Sequence, residues 1–167
     1  ECVLKETDKG SFYFAQINHA GKEVKALLPK LIDSIMRAFP WPKSMRWADY
    51  QFKWVRPLHN IMAIFEGKPL IGSFDLGGSK LTYNNFTYGH RFLAPTSFEV
   101  TSFQQYKSEL LKRFVILDQD DRKESIRRQL VEKGEEKQIC LKEDPSLLQE
   151  ITGASEWPNF FLGNINP

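Results

Sequence analysis

The stretch Trp41–Pro57, WPKSMRWADYQFKWVRP, decides how the rest of this chain is read. It holds three of the four tryptophans and the cations Lys43, Arg46, Lys53 and Arg56, set between an amphipathic segment and the first apolar run. Pro40 and Pro42 end any helix arriving from the N-terminal side, because proline cannot extend the helical ladder. Indoles favour burial, whereas guanidinium groups stack on planar side chains and grip phosphate or carboxylate with two parallel donors. Such a stretch fills a core corner or grips a nucleic-acid strand. The tryptophans read as corner-filling core, and Arg46 and Arg56 fit either use.

Upstream, Lys22 to Phe39 carries Val24, Leu27, Leu28, Leu31, Ile32, Ile35, Met36 and Phe39 at steps of three and four, which predicts a helix with one core face. Pro29 falls on the polar side of that stripe. Val3–Lys9 and Ser11–His19 alternate around Lys9-Gly10 and predict a hairpin, with Tyr13, Ala15 and Ile17 inward and Phe12 and Phe14 partly buried.

Downstream, Ile61–Glu66 and Pro69–Leu76 flank Gly67-Lys68 as a hairpin, followed by short strands at Leu81–Phe86 and Ser97–Val100. The period changes after Ser102. Thr101-Ser102 caps a helix carrying Phe103, Tyr106, Leu110, Leu111 and Phe114; Val115–Leu117 reads as a brief strand. Asp118 caps a helix from Gln119 to Lys133 that Gly134 stops, with Ile126, Leu130 and Val131 inward. A last helix starts at Pro145 and ends at Gly153, and Asn159–Leu162 reads as a returning strand. Strands in the middle and helices in blocks indicate an α+β class with a mixed, mainly antiparallel sheet and flanking helices. The expected organisation is a sheet-rich part, 1–101, with one long helix over about 22–39, and a helix-rich part, 102–167, within one compact domain.

With 167 residues, 41% of them hydrophobic, the chain can bury a core without metal or disulfide staples. Cys2 and Cys140 lie far apart with no histidine at zinc spacing, pointing to a reducing, cytoplasmic setting. No apolar run is long enough to span a bilayer. The chain opens on Glu1 and closes on FFLGNINP, and is read as a piece excised from a longer protein. A net charge of +2 is too small for a field-driven nucleic-acid binder, so RNA contact would come from a local patch.

Motifs for chemistry are sparse. There is no GxSxG, phosphate-binding glycine loop or HExxH, so no catalytic residue and no metal site is assigned. Asp118, Asp120, Asp121 and Glu124 lack the glycine and closing glutamate of a calcium loop and instead suit a helix N-terminus. Arg122, Lys123, Arg127 and Arg128 make the second half of that helix basic, either a solvated face or an RNA-contacting stripe. His19 sits in a turn and His59 at a strand entrance. His90, beside Gly89 and Arg91, suits a binding or site-ordering role.

The runs LLPKLIDSIMRAFPWPKSMRW, FKWVRPLHNIMAIFEGK, TYGHRFLAP and EITGASEWP together resemble the β subunit of bacterial-type glycyl-tRNA synthetase. The matching motifs are Lys43 to Trp47, then Val55-Arg56-Pro57 with His59, then Gly89 to Phe92, then Glu156 to Pro158, in the family's order. Each is weak alone; their co-linearity is specific.

The resemblance implies a two-subunit ligase joining glycine to tRNA with ATP, in which the α subunit carries the adenylate chemistry with ATP and Mg. It implies a segment from the N-terminal half of β, holding no cofactor and similar in fold to the B3/B4 module of the phenylalanine enzyme's β subunit. Its partners would be the α subunit, the remaining β domains and tRNA(Gly), in a cytoplasmic hetero-oligomer. Candidate RNA-binding or site-ordering residues are Arg46, Arg56, His90, Arg91, Arg127 and Arg128. The expected role is non-catalytic, structural and tRNA-supporting; alternatives are an editing-like aminoacyl-tRNA hydrolase using His59, Asn60 or His90, and a pure subunit-interaction module.

Overall fold

The computed structural model describes residues 2–15, 17, 19–142 and 144–163. Two compact units emerge, Glu1–Pro40 and Trp41–Pro167. In the first, β1 (Cys2–Thr7) and β2 (Gly10–Ala15) pair antiparallel from Thr7↔Gly10 to Cys2↔Ala15. Gly10 has φ 114°, a value favouring glycine, and its carbonyl accepts a bond of 2.9 Å from Thr7 Oγ1. The expected inward face is not realised: Tyr13 is 79% exposed, and Phe12, Phe14, Ala15 and Ile17 are exposed too. Alternation marks two faces of a strand, and a ribbon without a second layer buries neither.

Helix α1 (Val24–Ala38) follows the predicted span, with Pro29 inside it and half-buried rather than on the polar side. Its stripe is only partly sequestered. Leu27, Leu28, Ile32 and Met36 are half-buried, while Val24, Leu31, Ile35 and Phe39 are exposed, so the expected core face is corrected to a partly covered one.

Among the described residues, the second unit carries three small sheets in place of the one mixed sheet expected. β3 (Ile61–Met62) runs parallel to β7 (Lys80–Asn84), and β6 (Ser73–Asp75) runs antiparallel to it on the other side. β4 (Ile64–Phe65) and β5 (Lys68–Pro69) form a hairpin whose turn is Glu66-Gly67, one residue earlier than expected. Both turn residues have positive φ, 51° and 74°, the twist that suits a tight hairpin. β8 (Phe86–Tyr88) and β9 (Ser97–Glu99) pair antiparallel, and α2 (Phe103–Lys112), α3 (Gln119–Lys137) and α4 (Pro145–Ala154) follow. This is the α+β class, mixed and mainly antiparallel. Phe98, Val100 and Leu110 form a buried cluster, against which Met62, Ile64, Tyr106, Val115 and Leu117 pack. Burial in this core also pushes the Tyr106 phenol up, helped by the negative charge of Glu156.

The helix starts obey capping chemistry. Ser102 accepts from Gln105 N–H, Asp118 from Asp120 and Asp121 N–H, and Asp144 from Leu147 N–H. At the end of α2, Val115 N–H reaches Leu110 O and Phe114 N–H reaches Leu111 O, with Phe114 in the left-handed region at φ 59°. A non-glycine residue there is strained by about 1–2 kcal/mol. The Phe114 ring packs edge-on against Trp157, centroids 5.5 Å apart, which helps offset it.

Elsewhere the expected breaks move. Gly134 does not stop α3, which continues to Lys137 and closes at left-handed Gln138. Glycine stands at 134 because a Cβ there would lie 3.0 Å from Leu141 Cδ1. Residues 115–117 and 159–162 are not strands. Ile116 N–H bonds Glu156 O at 3.0 Å, and the carbonyls of Ile116 and Leu117 accept from Arg122, so side chains and loops take the place of a sheet ladder.

Candidate nucleic-acid interface

The tryptophan-arginine stretch folds back on itself through one antiparallel bridge. Met45 N–H donates to Trp54 O at 2.8 Å and Trp54 N–H returns to Met45 O at 3.1 Å. Alternation sets the faces. Phe52 is buried and Trp54 half-buried, while Lys53 between them is exposed; Arg46, across from Lys53 in that register, is exposed as well.

The inner side is an aromatic stack. Trp41 meets Trp54 edge-on at 5.0 Å, Phe52 stacks on Trp54 at 5.6 Å, and Phe52 meets the fully buried Phe74 at 4.7 Å. Trp47 joins through Phe52 and Tyr50. The indoles therefore fill a corner. Further anchorage comes from Phe52 N–H to Leu76 O at 2.9 Å and Gln51 N–H to Gly77 O at 3.3 Å. Gly77, with φ 77°, is needed there, because a Cβ would sit 2.7 Å from Gln51 Cβ.

Lys43, Arg46, Lys53 and Arg56 are all exposed on or beside this ribbon, and among the described residues none is ion-paired. Asp49 is the one acid in the stretch. The outcome is a basic outer face on a rigid aromatic backing, able to hold an anion such as phosphate.

His90 sits elsewhere, in the loop joining β8 to β9. Its Nδ1 accepts the N–H groups of Phe92 at 3.3 Å and Leu93 at 3.2 Å, so its ring proton belongs on Nε2. Its own N–H donates to Arg113 O at 2.9 Å, and its carbonyl accepts from Ala94 N–H at 2.9 Å. The imidazole orders a turn. Arg91 is exposed at that turn, its guanidinium 5.7 Å from the Phe92 ring centre.

Arg127 and Arg128 are exposed on α3, near Glu124 at 4.0 Å and Glu132 at 3.9 Å respectively. Arg128 lines an open cleft of about 560 Å³ together with Asp121, Glu124, Glu132 and Trp157. That surrounding charge is acidic, a poor setting for phosphate. The neighbouring Arg122 has a role the sequence did not distinguish from theirs. It donates from Nη1 to Ile116 O at 2.7 Å and Leu117 O at 2.9 Å, and from Nε to Thr152 O at 3.2 Å, tying α3 to the preceding segment and to α4. Arg113 likewise pairs with Glu109 and lies 4.4 Å over Phe98.

Among the described residues, the editing candidates are not gathered in the clefts that border α2, α3 and α4. His59 is exposed, and Asn60 is engaged with Asn84 and with Phe86 O at 2.8 Å, clipping the step from β7 to β8. A cleft of about 350 Å³ is lined by Met62, Ile64, Val100 and Tyr106 among others, without His59, Asn60 or His90. Among the described residues, no three His, Cys, Asp or Glu side chains gather as a metal site would require, and no helix is long and apolar enough to cross a membrane.

Comparison with known proteins adds a family. The family model described as "Glycyl-tRNA synthetase beta subunit" matches residues 1–167. The glycine–tRNA ligase beta subunit of Rhodospirillum centenum is 41% identical over 182 residues, covering 97% of this chain and 26% of the relative. That of Rickettsia akari is 40% identical over 165 residues, 99% of this chain and 24% of the relative, and that of a Ruegeria species is 35% identical, covering 97% and 24%. The chain thus spans about a quarter of the length of these curated relatives.

Proposed function

The chain belongs to the glycyl-tRNA synthetase beta subunit family, and from that premise we propose that it is a non-catalytic, tRNA-supporting segment of a two-subunit glycine–tRNA ligase. In this reading an α subunit forms the glycyl adenylate with ATP and Mg, and the present segment helps hold tRNA(Gly) in the cytoplasm. The observation that supports it is the exposed cross-strand pair Arg46 and Lys53 on the outer side of the Met45–Trp54 ribbon, with the exposed cations Lys43 and Arg56 close by in sequence. Cations on a rigid backing lose little freedom on meeting a phosphate, which suits a surface that positions a long RNA. His90 belongs to loop architecture in this reading, and Arg127 and Arg128 to a solvated helix face.

The test is titration of tRNA(Gly) with the chain across salt. If the four cations meet phosphates, affinity falls about 10²-fold between roughly 50 and 200 mM salt. Arg46→Ala and Lys53→Ala should each lower the slope of log K against log salt by about 1. Absence of tRNA binding at low salt, or an unchanged slope in the double variant, overturns the proposal.

A further inference from the structure

Cations and aromatic rings are segregated in the Trp41–Pro57 stretch, and the segregation bears on which form of RNA the ribbon holds. Met45 and Trp54 exchange both backbone bonds, at 2.8 and 3.1 Å, so theirs is the hydrogen-bonded pair. The next register position, Arg46 with Lys53, is then of the non-hydrogen-bonded kind, in which facing side chains stand closest. Like charges directly opposite destabilise a ribbon. Among the described residues neither cation is ion-paired, so their repulsion is unrelieved until an anion enters. The rings of the stretch are committed elsewhere. Trp41, Trp47, Tyr50, Phe52 and Trp54 are buried or half-buried, and each meets another ring with centroids between 4.7 and 6.2 Å apart. Met45, 43% exposed, is the large apolar side chain that the stretch does present, and it has no π face.

Resting on the tRNA-supporting reading above, we propose that Arg46 and Lys53 bind the phosphates of double-helical RNA, a base-paired stem, and not a single-stranded loop or end. Capture of a single strand depends on rings that stack its splayed bases as well as on charge. This face has the charge and lacks the rings. A base-paired stem withholds its bases, which stack on one another, and offers phosphates and 2′-hydroxyls at fixed spacing along a stiff helix. Two cations held opposite each other by a backbone bridge suit such a lattice, because neither partner loses much freedom on contact. Charge density points the same way. A duplex carries one negative charge per about 1.7 Å of axis, twice the density of one of its strands, and so relieves a pair of mutually repelling cations best.

The experiment titrates the full chain, by fluorescence anisotropy at about 100 mM salt, into a labelled RNA hairpin and a labelled oligo(U) of equal phosphate number, in parallel with tRNA(Gly). The hairpin should bind about 10-fold more tightly than oligo(U). In the Arg46→Ala/Lys53→Ala double variant hairpin affinity should fall about 10-fold and oligo(U) affinity about 3-fold or less, with melting temperature unchanged because both side chains are exposed. Tryptophan emission gives a second readout, since a base stacked on Trp41, Trp47 or Trp54 would quench it; hairpin binding should leave it within about 10% of its free value. Oligo(U) that binds as tightly as the hairpin, or that quenches the tryptophans on binding, overturns the proposal and leaves the tRNA-supporting reading standing if tRNA(Gly) binds. So does a double variant in which both affinities fall by the same factor. Failure of tRNA(Gly) itself to bind at low salt removes that reading, and this one with it.

Discussion

Gly89→Ala tests whether the loop after β8 is pinned to α2 as described. The added methyl would lie 2.9 Å from Arg113 O and 3.1 Å from Ala94 O, and closer still to Arg113 Cβ. Comfortable carbon contacts begin near 3.5 Å, so the loop must retreat by on the order of 1 Å. Such a retreat would stretch the 2.9 Å bond from His90 N–H to Arg113 O beyond useful length. Overpacking costs about 1–3 kcal/mol and the lost bond about 1 kcal/mol, giving about 2–4 kcal/mol together. At this size each kcal/mol lowers the melting temperature by about 2–4 °C, so a fall of about 5–15 °C is expected. Tryptophan fluorescence is the suitable probe, because Trp41, Trp47, Trp54 and Trp157 all lie in the Trp41–Pro167 unit. Gly153→Ala is the control, with nothing within 4 Å of the new methyl, and should stay within about 0.5 kcal/mol of wild type or gain slightly. If the two variants melt together in urea, glycine at 89 has nothing to do with close approach.

Two further outcomes follow from the second unit. Arg122→Met removes the donors serving Ile116, Leu117 and Thr152 carbonyls and should cost about 2–4 kcal/mol in urea unfolding; Arg122→Lys should recover less than half, since an ammonium cannot reproduce the fork. Asp118 is held below the usual carboxylate range, first by the Asp120 N–H, then by the Asp121 N–H and by Lys107. A depressed folded value means that its stabilisation is complete above about pH 4 and is lost as pH falls through that lower value. Asp118→Ser caps without titrating, so its stability should fall less steeply than wild type as the pH drops below about 4. Parallel acid dependence in the two proteins would refute the cap as the source.

Much of this architecture was readable in the residues because local chemistry decides it. Ser102 and Asp118 mark helix starts, since a short oxygen-bearing side chain completes the first turn, and Pro145 marks the third; the Asp144 cap before it was not read. The span of α1 followed from its apolar period, yet its burial did not, because periodicity names the face that seeks cover and is silent on what covers it. Gly134 was misread for a related reason. Glycine serves helix ends and tight approaches equally well, and only Leu141 against its missing Cβ separates the two. Val115–Leu117 has the composition of a strand, and what withdraws it from a sheet is a guanidinium thirty residues from Thr152, its other anchor.

The arginines show where sequence reading of the candidate site reached its limit. Arg46, Arg56, Arg91, Arg113, Arg122, Arg127 and Arg128 are identical in chemistry, and neighbours in sequence do not reveal which donors are already occupied. Structure sorts them by that occupancy. Arg122 spends its donors on three carbonyls and Arg113 on Glu109, so neither has much left for a ligand. Arg127 and Arg128 keep long, exposed contacts with glutamates one turn away, pairs worth little that nonetheless dilute their field. Among the described residues Arg46 and Arg56 have no ion-pair partner, and both are exposed beside the aromatic corner. An unspent guanidinium on a rigid support is what recognition of an anion requires. On that ground the ribbon, rather than the more densely basic α3, is the surface on which tRNA binding should be sought.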